Sequence, residues 1–224
     1  DWTSLDLSKN FEVGSRNVLG VNTDQLNEGI EKAKKLDDLY AMAIIYKGRL
    51  IAEEYNQGDA DFKYAVWSVT KSVISALFGQ LIDQNILKDE FIEIGSFYPL
   101  LNDSLKEGIK VRDLLTMSSG IADNTSYPRV NNAINFILEK ELLYEPGSYW
   151  NYTSAGTHIL SDILTQITGE KARAFAQKHL FSKLSISNYT WSEDKEGISN
   201  GGYGLQLQLI DMAKIGQLYL QNGV

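Results

Sequence analysis

The sequence predicts an α/β protein of the α+β type, in which an antiparallel sheet is flanked by helices and joined to a helical domain. Two strand-like runs flank Lys47-Gly48 and predict a β-hairpin over residues 41–55. The stretch "WSVTKSVISALFG" is apolar around most of a helical circumference, which is typical of a buried helix. Across the whole chain, 43% of the residues are hydrophobic, which suffices for a packed core.

The remaining elements follow in order along the chain. Asn22 with Gln25 predicts the start of a helix before the hairpin. Between residues 89 and 152 no strand pair is evident, and "VRDLLTM" and "NNAINFILEKELL" indicate short helices. The stretches "SAGTHILSDILTQITGE" and "LQLIDMAKIGQLYLQNG" indicate two more.

These elements predict a hairpin and helices at the start, then a helical insertion, then more helices. A two-stranded hairpin is not a stable sheet by itself in water. We therefore expect that the sheet is incomplete here and that further strands follow Val224.

Composition excludes several classes of protein. The formal net charge of −8 argues against a nucleic-acid-binding surface, which needs clustered Lys and Arg. No apolar run reaches the length of about 18 residues that a membrane-spanning helix requires. The chain contains 0 cysteines, so thiolate nucleophiles, disulfides and Cys-based zinc sites are excluded.

Ser68 and Lys71 stand three residues apart at the start of the buried helix. A serine hydroxyl is a weak nucleophile until a neighbouring base takes its proton, and a desolvated lysine can be that base. The helix spacing lets the two side chains meet. The alternative is a helix cap by Ser68, because Ser-x-x-Lys is expected about once by chance in a chain of this length.

Other candidate nucleophiles and bases are weaker. A second Ser-x-x-Lys, residues 192–195, lies in a charged loop where its lysine is expected to stay solvated. A Ser-His-Asp triad has only His158 and His179 to draw on, and each is more simply read as a packed or surface histidine.

The stretch "EPGSYWNYTSAG" offers a tyrosine that could relay a proton. Tyr149-Trp150-Asn151 fits a Tyr-x-Asn pattern, and Tyr152-Thr153-Ser154 fits Tyr-x-Ser. An aromatic loop packed against the core is an equal alternative.

Four stretches in order resemble the penicillin-recognising serine hydrolases: "SVTKS", "VRDLLTMSSGI", "PGSYWNYTSAGTHILSDILTQITG" and "GGYGLQLQLIDMAKIGQLYLQNG". The branch they are most similar to contains the class C β-lactamases with their esterase, amidase and D,D-peptidase relatives. The resemblance covers residue 41 to the end. It implies a β-lactamase/D,D-peptidase-like fold without metal or cofactor, with Ser68 as nucleophile and Lys71 as base. By the same resemblance, residues 1–83 and 154–224 would form an α/β part and residues 84–153 a helical insertion domain.

The resemblance also selects the tyrosine. The family pattern of Pro-Gly, an aromatic residue and Tyr-Ser/Thr-Asn/Ser implies that Tyr152 is catalytic and Tyr149 only its neighbour. Ser154 stands where class C β-lactamases usually carry Asn, and it is expected to bind substrate together with Trp67.

The family's third motif, Lys/His/Trp-x-Gly on a strand, has no convincing match. Residues 106–108 and 195–197 fit the letters but are expected to be charged turns. The resemblance places the strand, with a donor of the oxyanion hole, beyond Val224, so we expect this chain to be part of an enzyme.

The function that follows is hydrolysis of a small ester or amide through an acyl-serine. A carboxylesterase or amidase is favoured over a β-lactamase or D,D-peptidase, since Ser154 departs from the class C pattern. A non-catalytic relative that keeps the fold for binding is the alternative of another class. A periplasmic or secreted location is expected because many relatives act there.

Overall fold

A computed structural model describes residues 3–102 and 104–223. The α-helices are α1 (Thr23–Ala33), α2 (Val69–Asp83), α3 (Val111–Leu115), α4 (Ala133–Leu138), α5 (Ser154–Thr168), α6 (Ala172–Ala176) and α7 (Leu209–Leu220). The strands are β1 (Ala41–Tyr46), β2 (Arg49–Tyr55), β3 (Tyr64–Ala65), β4 (Thr190–Trp191) and β5 (Leu205–Leu207). Short 3-10 helices span Ile94–Ser96, Pro99–Leu101, Tyr127–Arg129 and Ser182–Leu184, and a π-helical turn spans Gln177–Phe181.

The first helix and the hairpin are confirmed. The Asn22 side chain accepts a hydrogen bond from the Gln25 backbone N–H at 3.0 Å and so caps α1. Strands β1 and β2 pair antiparallel from Ala41 opposite Tyr55. Lys47 and Gly48 both have positive φ, 49° and 73°, which a two-residue hairpin turn requires.

A second sheet was not predicted. Strands β3, β5 and β4 form it in that spatial order, and β4 and β5 are antiparallel. The sequence pattern assigned Leu207 to the last helix, but residues 205–207 are a strand and α7 begins at Leu209. Strands of two or three residues are too short to show the apolar–polar alternation by which strands are recognised.

The chain divides into two compact units. One contains the residues up to 64, 181–189 and those from 207, with α1, β1, β2 and α7. Within it α7 packs on β1. The other unit contains residues 65–180 and 190–206. The domain division predicted from the sequence, with an insertion over residues 84–153, stays a prediction.

Helix α5 is the centre of the second unit. It packs against α2, α3, α4 and α6, and ten of its residues are buried. Gly169 ends it in the left-handed conformation at φ 70°. The N-terminal ends of α5 and α2 carry the side chains singled out in the sequence. Among the described residues, none of the helices combines the length and apolar character that crossing a bilayer requires.

Candidate active site

Ser68 stands at the N-terminus of α2 but does not cap it. Its backbone is helical (φ −69°, ψ −10°) and its side chain makes no capping hydrogen bond. The preceding Trp67 lies in the left-handed region at φ 46°, which is rare for a bulky residue and marks a strained backbone. The Ser68 side chain therefore does not act as the helix cap that was the alternative interpretation of this serine.

The Lys71 ammonium nitrogen lies among three oxygen atoms. Its distances are 3.2 Å to Ser68 Oγ, 3.1 Å to Ser154 Oγ and 2.5 Å to the carbonyl oxygen of Gly202. The side chain is half-buried. Three acceptors fix the direction of a nitrogen that otherwise rotates freely on a long side chain. Lys71 is thus held against the Ser68 hydroxyl.

Tyr152 completes the contacts of the serine. Its hydroxyl donates to Ser68 Oγ at 2.5 Å, and the Lys71 nitrogen lies 4.8 Å from its ring centroid. Burial alone would raise the pKa of Tyr152, but its hydrogen bonds with Lys71 and Ser68 and the Lys71 charge outweigh burial and lower that pKa. Tyrosinate is therefore easier to form here than in water.

The other sequence-predicted residues have different positions. Ser154 is buried, 5% exposed, and its hydroxyl is occupied by Lys71. Trp67 is 66% exposed, with its ring 6.5 Å from that of Tyr203. The ring of Tyr149 lies 4.5 Å from that of Tyr144 in a tilted arrangement, while Tyr152 contacts Ser68. Substrate binding by Ser154 and Trp67 stays a prediction.

Asp123 anchors this arrangement, and the sequence analysis missed it. Its Oδ1 accepts from Thr153 Oγ1 at 3.0 Å, from the Ser154 N–H at 2.9 Å and from the Ala155 N–H at 3.0 Å. A carboxylate at a helix N-terminus also complements the helix dipole. Asp123 thereby ties the residues that follow Tyr152 to another loop of the same unit. Only its place two residues after the "SSGI" stretch hinted at it, and a loop aspartate is too common to single out.

We expect Asp123→Ala to lower the free energy of unfolding by about 1–3 kcal/mol, because three donors lose a charged acceptor. Displacement of Tyr152 should also slow any reaction at Ser68. Asp123→Asn keeps an acceptor oxygen and should retain more of both properties. Urea unfolding and fluorophosphonate labelling of the two variants measure this, and an alanine variant equal to the native protein in both would contradict the anchoring role.

The turn Gly201-Gly202 is the second feature that the sequence analysis missed. Asn200, buried to 1% exposure, accepts the Gly202 N–H at 3.0 Å and the Tyr203 N–H at 3.4 Å through its Oδ1. Tyr127 Oη donates to the same oxygen at 2.6 Å. The turn is thus fixed with the Gly202 carbonyl directed at Lys71.

We expect Gly202→Ala to reduce both stability and activity. An added Cβ would overlap Tyr127 Oη and lie 3.0 Å from Ser154 Cβ, so the turn must shift and the Gly202 carbonyl that binds Lys71 shifts with it. Crowding of this kind costs about 1–3 kcal/mol. Gly216→Ala is the matched control, because a Cβ there meets nothing within 4 Å and Ala favours the helix by up to about 1 kcal/mol. Thermal unfolding should therefore shift in opposite directions in the two variants.

The competing sequence candidates lie elsewhere. The exposed Lys195, in a turn as predicted, hydrogen-bonds Asn131 at 3.1 Å. Lys106, also in a turn, binds the Leu138 carbonyl at 2.6 Å, and burial lowers its pKa. His179 stacks on Phe175 at 4.2 Å. His158 is fully buried and paired with Asp194.

The family model described as Beta-lactamase matches residues 39–209, about three quarters of the sequence. No curated protein sequence gives a significant match.

Solved structures share the fold at low sequence identity. They include a Bacillus anthracis protein provisionally named a 6-aminohexanoate-dimer hydrolase (TM-score 0.75, 21% identity, 89% of this chain and 57% of that one). The octameric penicillin-binding protein homologue from Pyrococcus abyssi gives a TM-score of 0.71 at 16% identity, over 91% and 57% of the two chains. The D-alanine carboxypeptidase AmpC from Burkholderia cenocepacia gives 0.72 at 14% identity, over 93% and 69%. The sequence thus spans between 57% and 69% of these three structures.

Proposed function

The chain belongs to the beta-lactamase family, and we propose that its protein is a serine hydrolase that cleaves an ester or amide through an acyl-Ser68 intermediate. One observation carries the proposal. The Ser68 hydroxyl, unused as a helix cap, lies within hydrogen-bond distance of both the Lys71 nitrogen and the Tyr152 hydroxyl. A nucleophile beside a base that is itself oriented by further groups is the arrangement that covalent catalysis requires.

Acylation would begin with transfer of the Ser68 proton to the Lys71–Tyr152 pair. The freed oxygen bonds to the carbonyl carbon of the substrate, whose π electrons move to the carbonyl oxygen. When that oxyanion collapses, the bond to the leaving alcohol or amine breaks. Tyr152 then donates a proton to the leaving group. The Lys71–Tyr152 pair has therefore gained one proton from Ser68 and lost one, and it carries the same number of protons as at the start.

The oxyanion would be stabilised at the start of α2. Within residues 3–102 and 104–223, the Ser68 backbone N–H donates no hydrogen bond. An N–H at a helix N-terminus favours negative charge, and an oxyanion-hole donor is worth about 100- to 1000-fold in rate. The family resemblance implies that a second N–H donor completes the oxyanion hole.

Deacylation would use the same groups in reverse. Tyr152, with Lys71 beside it, takes a proton from a water molecule, and the hydroxide attacks the acyl carbon. Collapse breaks the bond to Ser68 Oγ, which recovers its proton from the pair. The lowered pKa of Tyr152 supports this role, because the deprotonated form is the one that activates water.

A carboxylesterase or amidase is the favoured class, and β-lactamase or D,D-peptidase activity is the second candidate. Ser154 in place of the usual Asn supports the first. The similarity to a protein provisionally named a 6-aminohexanoate-dimer hydrolase agrees with it, and the similarity to a D-alanine carboxypeptidase agrees with the second. Small esters and amides are therefore the first substrates to test.

Two substrates and two covalent probes test the proposal on the protein in its full length. Hydrolysis of p-nitrophenyl butyrate but not of nitrocefin supports the esterase, and the reverse supports the β-lactamase. Fluorophosphonate and fluorescent penicillin probes report the acyl-enzyme step itself. Absence of turnover and of labelling with all of them would favour a non-catalytic relative.

A further inference from the structure

His158 is a buried titratable side chain that the proposed mechanism does not use. It lies on α5 one turn after Ser154, and its ring is 0% exposed. Its Nε2 lies 3.0 Å from Asp194 Oδ2, and the ring of Tyr127 stacks on it at a centroid distance of 4.5 Å. A buried histidine with a buried carboxylate beside it, close to a nucleophile, invites comparison with a catalytic pair.

The pair does not face the nucleophile. The other ring nitrogen, Nδ1, receives the backbone N–H of Gly201 at 3.4 Å. An N–H can donate only to an unprotonated nitrogen, so the ring proton stands on Nε2 and is donated to Asp194. His158 therefore connects Asp194 to the turn Gly201-Gly202 and has both of its nitrogens occupied.

Asp194 is a fixed acceptor for this contact. Its Oδ1 accepts the Glu196 N–H at 3.0 Å and the Ile198 N–H at 2.8 Å. Burial would raise the pKa of Asp194, but the hydrogen bonds from His158 and from these N–H groups outweigh burial and lower it. Asp194 therefore stays ionised and holds the imidazole in one tautomer.

The turn that His158 holds is the one that positions Lys71. Gly202 follows Gly201 directly, and its carbonyl oxygen accepts from Lys71 at 2.5 Å. A Cβ at Gly201 would overlap the Thr157 carbonyl oxygen, so the turn lies tightly against the first turn of α5. A displacement of Gly201 is therefore transmitted to Gly202, and from there to the lysine.

We propose that His158, oriented by Asp194, is a positioning residue for Lys71 that acts through the Gly201 N–H and the Gly202 carbonyl. This inference rests on the proposed function, because it concerns the base of that mechanism. A purely structural pair would instead serve only to anchor the loop of residues 194–198.

Two substitutions separate the two contacts. In His158→Asn the amide oxygen takes the place of Nδ1 and still accepts from Gly201, but the donor to Asp194 is lost. In His158→Gln the amide nitrogen takes the place of Nε2 and still donates to Asp194, but the acceptor for Gly201 is lost. The full-length variants are compared by their rate of fluorophosphonate labelling and by their thermal unfolding.

We expect the more stable of the two variants to be the one that is labelled more slowly. We expect His158→Gln to unfold close to the native temperature but to label about 10- to 100-fold more slowly, as displacement of a catalytic group by about 1 Å does. His158→Asn should unfold at a lower temperature yet label faster than His158→Gln. Labelling rates that equal the native rate in both variants, or that simply follow stability, overturn the positioning role.

An independent readout is the imidazole tautomer in the native protein. Long-range proton–nitrogen correlation spectra should show Nδ1 of His158 unprotonated and Nε2 protonated. A proton on Nδ1 overturns the inference whatever the activity. A native protein that no probe labels overturns the proposed function and this role with it, whereas labelling with unchanged variants overturns this role alone.

Discussion

Ser68→Ala is expected to abolish covalent labelling and to lower turnover of an ester by about 10⁴-fold or more, because the acyl-enzyme can no longer form. The folded state should be unaffected within about 0.5 kcal/mol, since the side chain caps no helix. Labelling followed by mass spectrometry, together with thermal unfolding, measures both effects. Loss of labelling without loss of stability would identify Ser68 as the labelled nucleophile.

The chain supplies a matched control for this substitution. Ser192 begins the second Ser-x-x-Lys, in an exposed loop, and Ser192→Ala should leave labelling unchanged. An adduct that persists in Ser68→Ala, or that disappears in Ser192→Ala, would show that the wrong serine has been assigned.

Lys71→Met is expected to reduce the acylation rate by about 10²- to 10⁴-fold, because it removes both the proton acceptor and the cation beside Tyr152. The pH dependence should change as well. The pKa of Tyr152 is lowered by Lys71 and raised by burial, so loss of the lysine leaves burial dominant and raises that pKa. Since the deprotonated tyrosine is the reactive form, residual activity should shift to higher pH.

The measurement is the labelling rate as a function of pH. Lys195→Met, in the second Ser-x-x-Lys, should have a native profile. Lys71→Arg keeps the charge but cannot give up a proton, so it distinguishes the two roles of the lysine. If Lys71 is the base, Lys71→Arg should keep the pH dependence of the native protein, but its labelling rate should be much lower. An unshifted profile in Lys71→Met would refute the electrostatic coupling to Tyr152.

The sequence alone predicted the features that rest on local patterns. The hairpin turn at Lys47-Gly48 and the cap at Asn22 depend on residues within a few positions of each other. The spacing of Ser68 and Lys71 likewise predicted that the two side chains meet. The family resemblance then indicated Tyr152 in preference to Tyr149.

Features that depend on distant contacts could not be read in this way. Asp123 meets residues thirty positions away, and Gly202 meets Lys71 across 131 positions. No periodicity or motif in a single sequence encodes such a pairing. Strands β3, β4 and β5 were missed because they are too short to show a period.

The left-handed backbone at Trp67 has a consequence for how the protein opens. A bulky residue in this region costs about 1–2 kcal/mol, so the turn persists only while its surroundings hold it. Val66, just before it, donates its N–H to the Leu205 carbonyl at 3.1 Å, at the edge of the short three-stranded sheet. Helix α2, by contrast, is anchored by fully buried residues such as Ile74 and Leu77.

Local unfolding should therefore begin at the sheet edge and not in the helix. When the contact between Val66 and Leu205 opens, the strained turn relaxes and the position of Ser68 is lost, while the core around α2 remains packed. We therefore expect Ser68 to belong to a less stable cooperative unit than the helix on which it stands, so that labelling of Ser68 is lost before global unfolding.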